Sequence, residues 1–361
     1  MNPFVPKKLP LTNEINQMFF INELIEAHSN VVKYQTILNN SKVPWNILIN
    51  PLLLQEAVQS TKIEGTQVTI DEVLESELDE NKKSNDVTEV MNYYKALMYG
   101  EYELKRIPLS TRMFKELHKI LLSDNVRGKN RTPGEYRTIQ NFIGPEGCTI
   151  KTASFVPPEP QLVNEYISNL EKYINEPEDN ISPLIRIAVI HAQFETIHPF
   201  LDGNGRIGRI LIPLYLYDNK FIDAPNFFIS DTLEKDKHKY YRLLKDTRFK
   251  DNWNEWIKFF IESVNIQAKK NIVMLERVNE SYENDLTIAK TLIKNNNIIN
   301  IIDMMYQSPI FNANKMAELT GLPSSTCRKY LNTLEEAHVI YSDNKPRNKT
   351  YYNYNLLDIL R

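Results

Sequence analysis

Apolar residues recur at helical spacing along most of the chain, and strand-like alternation is confined to short stretches. This pattern predicts a mainly α-helical fold. One helix is well delimited, because Asn50 suits an N-cap, Pro51 the first helical position and Gly65 a C-terminal stop. A strongly apolar helix is predicted to open at Ser182 and to continue through Ile197.

Two parts of the chain depart from the helical pattern. Between residues 134 and 158, turn residues flank short β-prone pieces, which predicts a β-hairpin inserted among the helices. From residue 298 the pattern is helix, turn, helix and two short strands, with Ser324 or Ser325 as the cap of the second helix. The strand candidates are residues 339–341 and 350–354, with 344–349 as the tip between them. This order predicts a winged helix.

The chain has 361 residues, which exceeds the usual size of one domain. The pattern divides it into a helical N-terminal region (1–107), a central region that contains the hairpin (108–265), a helical linker (266–297) and the winged helix (298–361). The capped helix, at about 51–65, belongs to the first region.

Composition adds few constraints. An apolar fraction of 42% and a charged fraction of 25% are ordinary for a globular protein. A net charge of −3 gives no global attraction to nucleic acid or to an anionic membrane, so only a local basic patch could bind DNA. The sequence shows no signal peptide and no apolar run of about 20 residues that could span a bilayer. We therefore expect a cytoplasmic location without membrane contact, and no disulfide between Cys148 and Cys327.

The segment from His198 to Arg209 combines residue types that handle a polyphosphate. Gly203 and Gly205 permit backbone geometries that turn successive N–H groups into one concavity, and the loop leads into a helix N-terminus that favours anions. Arg206 and Arg209 are three residues apart, so both project from nearly one face of that helix.

The same segment supplies groups for chemistry. Asp202 offers a hard oxygen ligand of the kind that Mg²⁺ takes together with phosphate and water. An unperturbed histidine titrates near neutrality, so His198 could accept a proton from a hydroxyl nucleophile. Asn204 tolerates a left-handed backbone conformation. The conjunction predicts a phosphate-handling site with a proton acceptor beside it.

The run His198-Pro-Phe-Leu-Asp-Gly-Asn-Gly-Arg206 resembles the signature of the Fic (filamentation induced by cAMP) family at every defined position. Arg209 and the helix that carries His191, Phe194 and Ile197 also resemble it, over roughly residues 50 to 265. The resemblance implies a Fic-type helical bundle with an inserted flap hairpin. It also implies a protein adenylyltransferase that uses ATP and Mg²⁺.

The resemblance assigns a role to each position. His198 would deprotonate a Tyr, Thr or Ser hydroxyl of a target protein, and Asp202 would hold Mg²⁺ between the α- and β-phosphates. The backbone of 203–205, with Asn204, would stabilise the α-phosphate, Arg206 the β-phosphate and Arg209 the γ-phosphate. Phe200 would anchor the loop and His191 would be structural. The remaining residues assigned to ATP are Ile207 and Gly208 within the loop segment, and Tyr240 or Tyr241 at the border of the adenine.

Ser60 and Glu64 are one helical turn apart at the end of the capped helix, just before Gly65. From the residues alone, this segment is a polar helix end that a glycine terminates. Beside the central motif it resembles the family's inhibitory helix. The resemblance implies that Glu64 pairs with Arg209, so that ATP binds unproductively and the enzyme is autoinhibited.

Several alternatives remain at this point. Gly205 stands where kinase-like relatives carry lysine, which favours AMP transfer over transfer of another phosphate-containing group. Removal of AMP from a modified target is a further activity of the same class. The hairpin at 134–158 resembles the flap on which a target segment docks by strand pairing.

A different class of function is a DNA-binding regulator that acts through the winged helix. Arg328 and Lys329 would lie on its recognition helix, and Lys345, Arg347 and Lys349 in its wing. Residues 285–361 carry a net charge of only +2, which is weak for a module that contacts phosphates. Protein contact or homodimer formation is the other use open to this region.

Overall fold

A computed structural model describes residues 2–11, 14–145, 147–176 and 180–361. Helices dominate it, which confirms the predicted fold class. The α-helices of this part of the chain are α1 (Ile21–Asn39), α2 (Trp45–Ile63), α3 (Ile70–Ser76), α4 (Asn85–Leu104), α5 (Thr111–Leu121), α6 (Val163–Asn175), α7 (Pro183–Ile197), α8 (Asn204–Asp218), α9 (Ser230–Lys235), α10 (Lys237–Lys250), α11 (Trp253–Leu292), α12 (Asn297–Gln307), α13 (Ala313–Thr320), α14 (Ser324–Glu336) and α15 (Tyr354–Leu360).

The helix expected to begin at Pro51 starts earlier, so Asn50 is not its N-cap. α2 begins at Trp45 and carries Pro51 in its interior. An interior proline costs about 3 kcal/mol because it removes one backbone hydrogen bond. The added turns bury Ile47 and Leu48, each worth about 1.5–3 kcal/mol, which offsets that cost. The predicted end is confirmed, because Gly65 follows the helix with φ +99°.

α7 and α8 form the centre of the region that carries the motif. Ser182 caps α7 through its side chain, as predicted, and Pro183 takes the first helical position. The residues from Leu184 to Ile197 are all buried, so the helix is enclosed on every side. The indole of Trp256 donates a hydrogen bond to the carbonyl of Ala188 at 2.8 Å and holds α11 against α7.

The segment 134–158 folds back on itself but does not form the two regular strands that were expected. A single antiparallel bridge joins Ile143 and Phe155, with N–H···O distances of 2.8 and 3.1 Å. Glu146, in the middle of the predicted hairpin, lies outside the described residues. Turns with local hydrogen bonds occupy most of the remainder, so the segment is a loop with one strand-like contact.

The C-terminal elements follow the predicted order of helix, turn, helix and two strands. α13 ends at Gly321, whose left-handed backbone (φ +69°) turns the chain toward α14. The strands are β2 (Tyr341–Ser342) and β3 (Thr350–Tyr352), which pair antiparallel. Sequence reasoning missed a third strand, β1 (Ile310–Asn312), which pairs with the other edge of β3.

Two compact units can be distinguished. The first comprises the chain up to Val31, Gln59–Thr66 and Thr88–Ala268, and the second comprises Val32–Val58, Gln67–Val87 and Lys269–Arg361. In the described ranges, no helix combines the length and the apolar character needed to cross a membrane. The cytoplasmic location stays a prediction.

Candidate active site at the α7–α8 loop

The loop between α7 and α8 is shaped by two residues in the left-handed region. His198 ends α7 with φ +51° and ψ +60°, and its N–H bonds to the carbonyl of Phe194 at 2.9 Å. Gly203 precedes α8 with φ +74°, where a glycine is favoured. α8 then begins at Asn204, and the first N–H groups of a helix have no partner within it.

Asn204 holds the loop closed. Its side-chain oxygen accepts from the N–H of Phe200 at 2.9 Å, and its amide nitrogen donates to the carbonyl of the same residue at 2.9 Å. Asn141 donates to that carbonyl as well, at 3.0 Å. The Asn204 amide is thus engaged by the loop itself, and the N–H of Gly203 bonds to Oδ1 of Asp202 at 2.6 Å, so the first backbone N–H groups of α8 are the donors left for an anion.

Phe200 anchors the loop in the core, as expected, but its main partner was missed. The ring is fully buried and stacks on His118 with centroids 3.8 Å apart. Nδ1 of His118 accepts from the N–H of Gly134 at 2.8 Å, so Nε2 carries the proton and donates to the carbonyl of Asp202 at 3.1 Å. Burial lowers the pKa of His118 to about 4, which keeps the ring neutral.

Arg137 is a second positioning residue that the sequence did not reveal, since it lies inside the segment predicted as a docking hairpin. Its Nε donates to the carbonyl of His198 at 2.9 Å and its Nη2 to that of Pro158 at 2.6 Å. Its backbone N–H donates to Pro199 at 2.9 Å. Arg137 thereby fixes the backbone of the candidate base to the end of the flap segment.

His198 is mostly enclosed, and burial lowers its pKa to about 3, with Arg248 and Arg137 lowering it further. The imidazole is therefore neutral at physiological pH and can accept a proton. Nδ1 lies 3.9 Å from Oε2 of Glu195, beyond hydrogen-bond distance. Burial raises the pKa of Glu195 to about 7, so this carboxyl titrates beside the candidate base.

Asp202 is the most accessible acidic group of the loop, with 32% of its side chain exposed. Its Oδ1 accepts from the N–H of Gly203 at 2.6 Å and lies 3.5 Å from Nη2 of Arg206. A Cβ atom at Gly128, which sequence analysis did not single out, would lie 2.8 Å from Oδ2. A glycine there leaves room for the carboxylate. One exposed carboxylate fits the way in which proteins hold Mg²⁺ beside phosphate oxygens and water.

Arg206 is buried with unused hydrogen-bonding capacity. Its Nη1 lies 3.5 Å from the carboxylate of Glu89, which also accepts from the hydroxyl of Thr66 at 3.0 Å. Nε and Nη1 have no hydrogen-bond partner among the described residues. Buried donors of a charged group are costly to leave unpaired. The guanidinium is consequently suited to receive an anionic ligand.

Arg209 is fully engaged by the end of α2. Its Nε donates to the hydroxyl of Ser60 at 2.8 Å, and its Nη2 donates to the carbonyl of Ser60 at 2.9 Å and to Oε1 of Glu64 at 2.7 Å. Burial alone would raise the pKa of Glu64, but the charge and hydrogen bond of Arg209 outweigh it and lower the pKa. The predicted ion pair is therefore present, with both groups charged.

The Glu64 carboxylate lies directly against the N-terminus of α8. A Cβ atom added at Gly205 would collide with its Oε1 and would lie 3.1 Å from Nη1 of Arg209. Arg206 and Lys237 add further positive charge around the same carboxylate. A carboxylate of the protein itself thus occupies the position at a helix N-terminus that favours anions.

Ile207 and Gly208, both assigned to ATP, face the core instead of the loop. Ile207 is fully buried, and its N–H bonds to the carbonyl of Gly203 at 3.1 Å. A Cβ atom at Gly208 would lie 2.7 Å from Oε1 of Glu195, so this glycine allows α7 and α8 to approach closely. Both residues pack beneath the site, and their assignment to ATP stays a prediction.

The end of α2 is also held by two cations that sequence reasoning missed. Nη2 of Arg127 donates to the carbonyl of Glu64 at 3.2 Å, and Nζ of Lys237 donates to the carbonyl of Ile63. Positive groups at a helix C-terminus are favourable because they meet unpaired carbonyls and the negative end of the dipole. These contacts secure the helix end that carries Glu64.

The two tyrosines assigned to the adenine border have different environments. Nδ1 of His191 donates to the carbonyl of Gly208 at 3.0 Å, so Nε2 of the neutral ring carries no proton. Nε2 therefore accepts a hydrogen bond from the hydroxyl of Tyr240 at 2.8 Å, and Tyr240 is buried. Tyr241 is 43% exposed, with Lys237 over its ring at 6.0 Å. Tyr241 alone offers a surface to a ligand, and His191 has the structural place that was expected.

Two protein-family models match this chain. A model of the Fic/DOC family matches residues 108–216, which include the whole loop, and one of the Fic/DOC family N-terminal region matches residues 21–101. Together the two matches cover more than half of the chain.

Two curated relatives match about half of the chain. A probable protein adenylyltransferase of Aquifex aeolicus (strain VF5) is 30% identical over 52% of this chain and 55% of its own length. The protein adenylyltransferase Fic of Drosophila yakuba is 28% identical over 53% of this chain and 36% of its own. The chain thus spans about half of the first relative and about a third of the second.

Solved structures share the fold at low sequence identity. A Fic family protein from Desulfovibrio desulfuricans G20 aligns with a TM-score of 0.59 over 97% of this chain and 98% of that one, at 16% identity. Fic-1 from C. elegans aligns with a TM-score of 0.53 over 72% and 74%, at 19% identity. The matches to both family models place the chain in the Fic/DOC family.

Proposed function

We propose that this protein transfers AMP from ATP to a Tyr, Thr or Ser hydroxyl of a target protein and releases pyrophosphate. The observation that supports the proposal is a place at the N-terminus of α8 that suits an anion. The Glu64 carboxylate lies there beside Gly205 and is paired with Arg209. Nε and Nη1 of Arg206 have no hydrogen-bond partner among the described residues. The neutral His198 precedes the same helix by one short loop.

In the proposed reaction the hydroxyl oxygen of the target attacks the α-phosphorus of ATP, and the bond from that phosphorus to the bridging oxygen of the β-phosphate breaks. His198 takes the hydroxyl proton, and pyrophosphate carries away the electron pair of the broken bond. The N–H groups at the start of α8 are fixed in advance toward the α-phosphate, so they stabilise charge without rearrangement. Arg206 and Arg209 hold the β- and γ-phosphates.

Mg²⁺ fits this site through Asp202, whose exposed carboxylate lies at the mouth of the loop. When bound, the ion would neutralise negative charge on the phosphates. His118 supports the same carboxylate indirectly, because it holds the carbonyl of Asp202 at 3.1 Å.

We further propose that the resting enzyme is autoinhibited by Glu64. The carboxylate takes the place that a phosphate needs beside Gly205, and the pair occupies the donors of Arg209. ATP can bind productively only after Glu64 leaves. The same residue is also placed to assist removal of AMP from a modified target, which is the alternative activity of this site.

The remaining partners are assigned by position. The flap segment 134–158, where Ile143 makes one strand-like contact, docks a target protein, and Tyr241 borders the adenine. The elements from α12 to β3 support a winged-helix module whose partner is DNA or protein, and a homodimer stays a prediction. The division of the chain into regions that end at residues 107, 265 and 297 stays a prediction as well.

The test uses ATP labelled on the α-phosphate, Mg²⁺, and three forms of the chain: the parent, Glu64→Gly, and Glu64→Gly with His198→Ala. We expect label on protein in the single variant, at least tenfold above the parent, and none in the double variant. Label transferred only from γ-labelled ATP would indicate a kinase and refute AMP transfer. If Glu64→Gly is no more active than an active parent, the autoinhibition proposal is wrong.

A further inference from the structure

The second unit contains an open polar groove of about 590 Å³ between α14 and the connection from β2 to β3. Four cations line it, namely Arg328 from the helix and Lys345, Arg347 and Lys349 from the connection. The other polar side chains are chiefly four asparagines, and the lining includes no aspartate or glutamate. The small net charge of this region thus conceals one face on which positive charge is concentrated.

The acidic residues of the region neutralise only part of this charge. Lys345 lies 3.0 Å from Asp343, and Lys349 pairs with Glu335, so each lysine shares its charge with a carboxylate. Arg328 and Arg347 are exposed and form no ion pair with any residue that the structure describes. These two arginines are free to meet an anion without first breaking a bond.

The exposed face of α14 continues the groove. Ser325, Arg328, Lys329 and Asn332 are exposed at the spacing of one helix face, while the opposite face packs into the unit through Cys327, Tyr330, Leu331 and Leu334. The helix has 13 residues and is therefore about 20 Å long. Its polar face carries donors and acceptors suited to base edges, and Arg328 on this face also lines the groove.

We infer that this face binds duplex DNA, with α14 in the major groove and the β2–β3 connection on the phosphate backbone. The B-form major groove, about 12 Å wide, admits a helix, whereas the deep and narrow groove of duplex RNA does not. Arg328 and Arg347 contact phosphates, and Lys345 and Lys349 strengthen the contact. Binding is of the general, salt-dependent kind, with a Kd of about 10⁻⁴–10⁻⁶ M at physiological salt.

The experiment measures fluorescence anisotropy of a labelled 20-base-pair DNA duplex of mixed sequence, titrated with the full chain between 50 and 200 mM salt. About four phosphate contacts give a slope of log K against log salt near −4, and removing two contacts reduces it by about 2. We expect Arg328→Ala/Arg347→Ala to bind at least tenfold more weakly at 100 mM salt. The matched control is Lys290→Ala/Lys294→Ala, which removes two exposed charges near the end of α11 and leaves binding unchanged.

Three results would overturn the inference: no binding by the parent at 50 mM salt, equal binding by both double variants, or binding of duplex RNA as tight as that of DNA. Self-association of the parent that Arg328→Ala/Arg347→Ala abolishes, without DNA binding, would make the face a protein interface instead. The inference does not depend on AMP transfer. Label incorporation by the arginine variant tests the active site separately and should equal that of the parent.

Discussion

The Glu64 carboxylate lies 2.7 Å from Nη2 of Arg209, and the same oxygen, Oε1, fills the space that a Cβ atom at Gly205 would take. Under the proposed autoinhibition, one side chain therefore blocks two parts of the phosphate site at once. It engages the guanidinium that would bind a phosphate and fills the space at the helix N-terminus where that phosphate would lie. Removal of Glu64 should open both, which is why its contacts are the most informative ones to perturb.

Ser60→Ala should weaken the proposed autoinhibition without touching the nucleotide. The hydroxyl of Ser60 accepts from Nε of Arg209 at 2.8 Å, and a hydrogen bond to a charged group contributes about 1.5–3 kcal/mol. We expect incorporation of α-phosphate label to rise about tenfold, to a level below that of Glu64→Gly. Ser60→Thr keeps the hydroxyl and serves as the control. Parent-level activity of Ser60→Ala beside an active Glu64→Gly variant would exclude Ser60 from the inhibitory contact.

Gly205→Ala should be destabilising only while Glu64 is present. The added Cβ would collide with Oε1 of Glu64, and such crowding costs about 1–3 kcal/mol. In the Glu64→Gly background the collision is gone, so the cost should fall below about 0.5 kcal/mol, as a double-mutant cycle can measure. The readout is the free energy of unfolding in urea.

Gly208→Ala is the matched control for that cycle. Its Cβ would lie 2.7 Å from Oε1 of Glu195 and not against Glu64, so its cost should be the same in both backgrounds. A Gly205→Ala cost that is unchanged by Glu64→Gly would mean that the carboxylate does not occupy this position in solution.

Arg127→Ala should release the end of α2 in part. The side chain is half exposed and donates one hydrogen bond to the carbonyl of Glu64, which is worth about 1 kcal/mol or a three- to fivefold shift in an equilibrium. Label incorporation should rise by that factor in the parent and should not change in the Glu64→Gly background. Arg131→Ala, an exposed arginine of the same loop, should have no effect. An equal gain in both backgrounds would indicate a role outside inhibition.

The sequence predicted those parts of the site that are local in the chain. The loop from His198 to Arg209 and its two flanking helices follow from glycine, capping and apolar spacing within 30 residues. The pair of Glu64 with Arg209 came from resemblance, because the two residues are 145 positions apart and no local pattern joins them. His118 and Arg137 were missed for the same reason, since each acts on the loop through backbone carbonyls.

Errors in the fold have equally specific causes. Pro51 looked like a helix start, but burial of the preceding apolar residues extends α2 through it. The flap segment has β-prone residues, yet its described part makes one bridge. The described chain around it forms turns and loops, so no sheet edge is present there with which it could pair. β1 is three residues long, too short for alternation to be visible, and it depends on β3, which lies 40 positions away.

The loop's dependence on a neutral His118 predicts a pH-dependent stability. A histidine whose pKa falls from 6.5 in the unfolded chain to about 4 in the native state adds stability above pH 6.5, which is lost as pH falls toward 4. Over that window each pH unit costs about 1.4 kcal/mol. His118→Ala should be less stable than the parent at pH 7.5, and the gap should narrow by about 1.4 kcal/mol per unit below pH 6.5.

Urea unfolding followed by tryptophan fluorescence measures this gap, in a Trp45→Phe background that leaves only Trp253 and Trp256 of the first unit. The difference between His118→Ala and its parent removes the contributions of other titrating groups, which the two proteins share. His338→Asn, at an exposed residue with φ +59° that asparagine tolerates, is the control and should parallel the parent at every pH. A gap that stays constant from pH 7.5 to 4.5 would show that His118 does not remain neutral in the native loop.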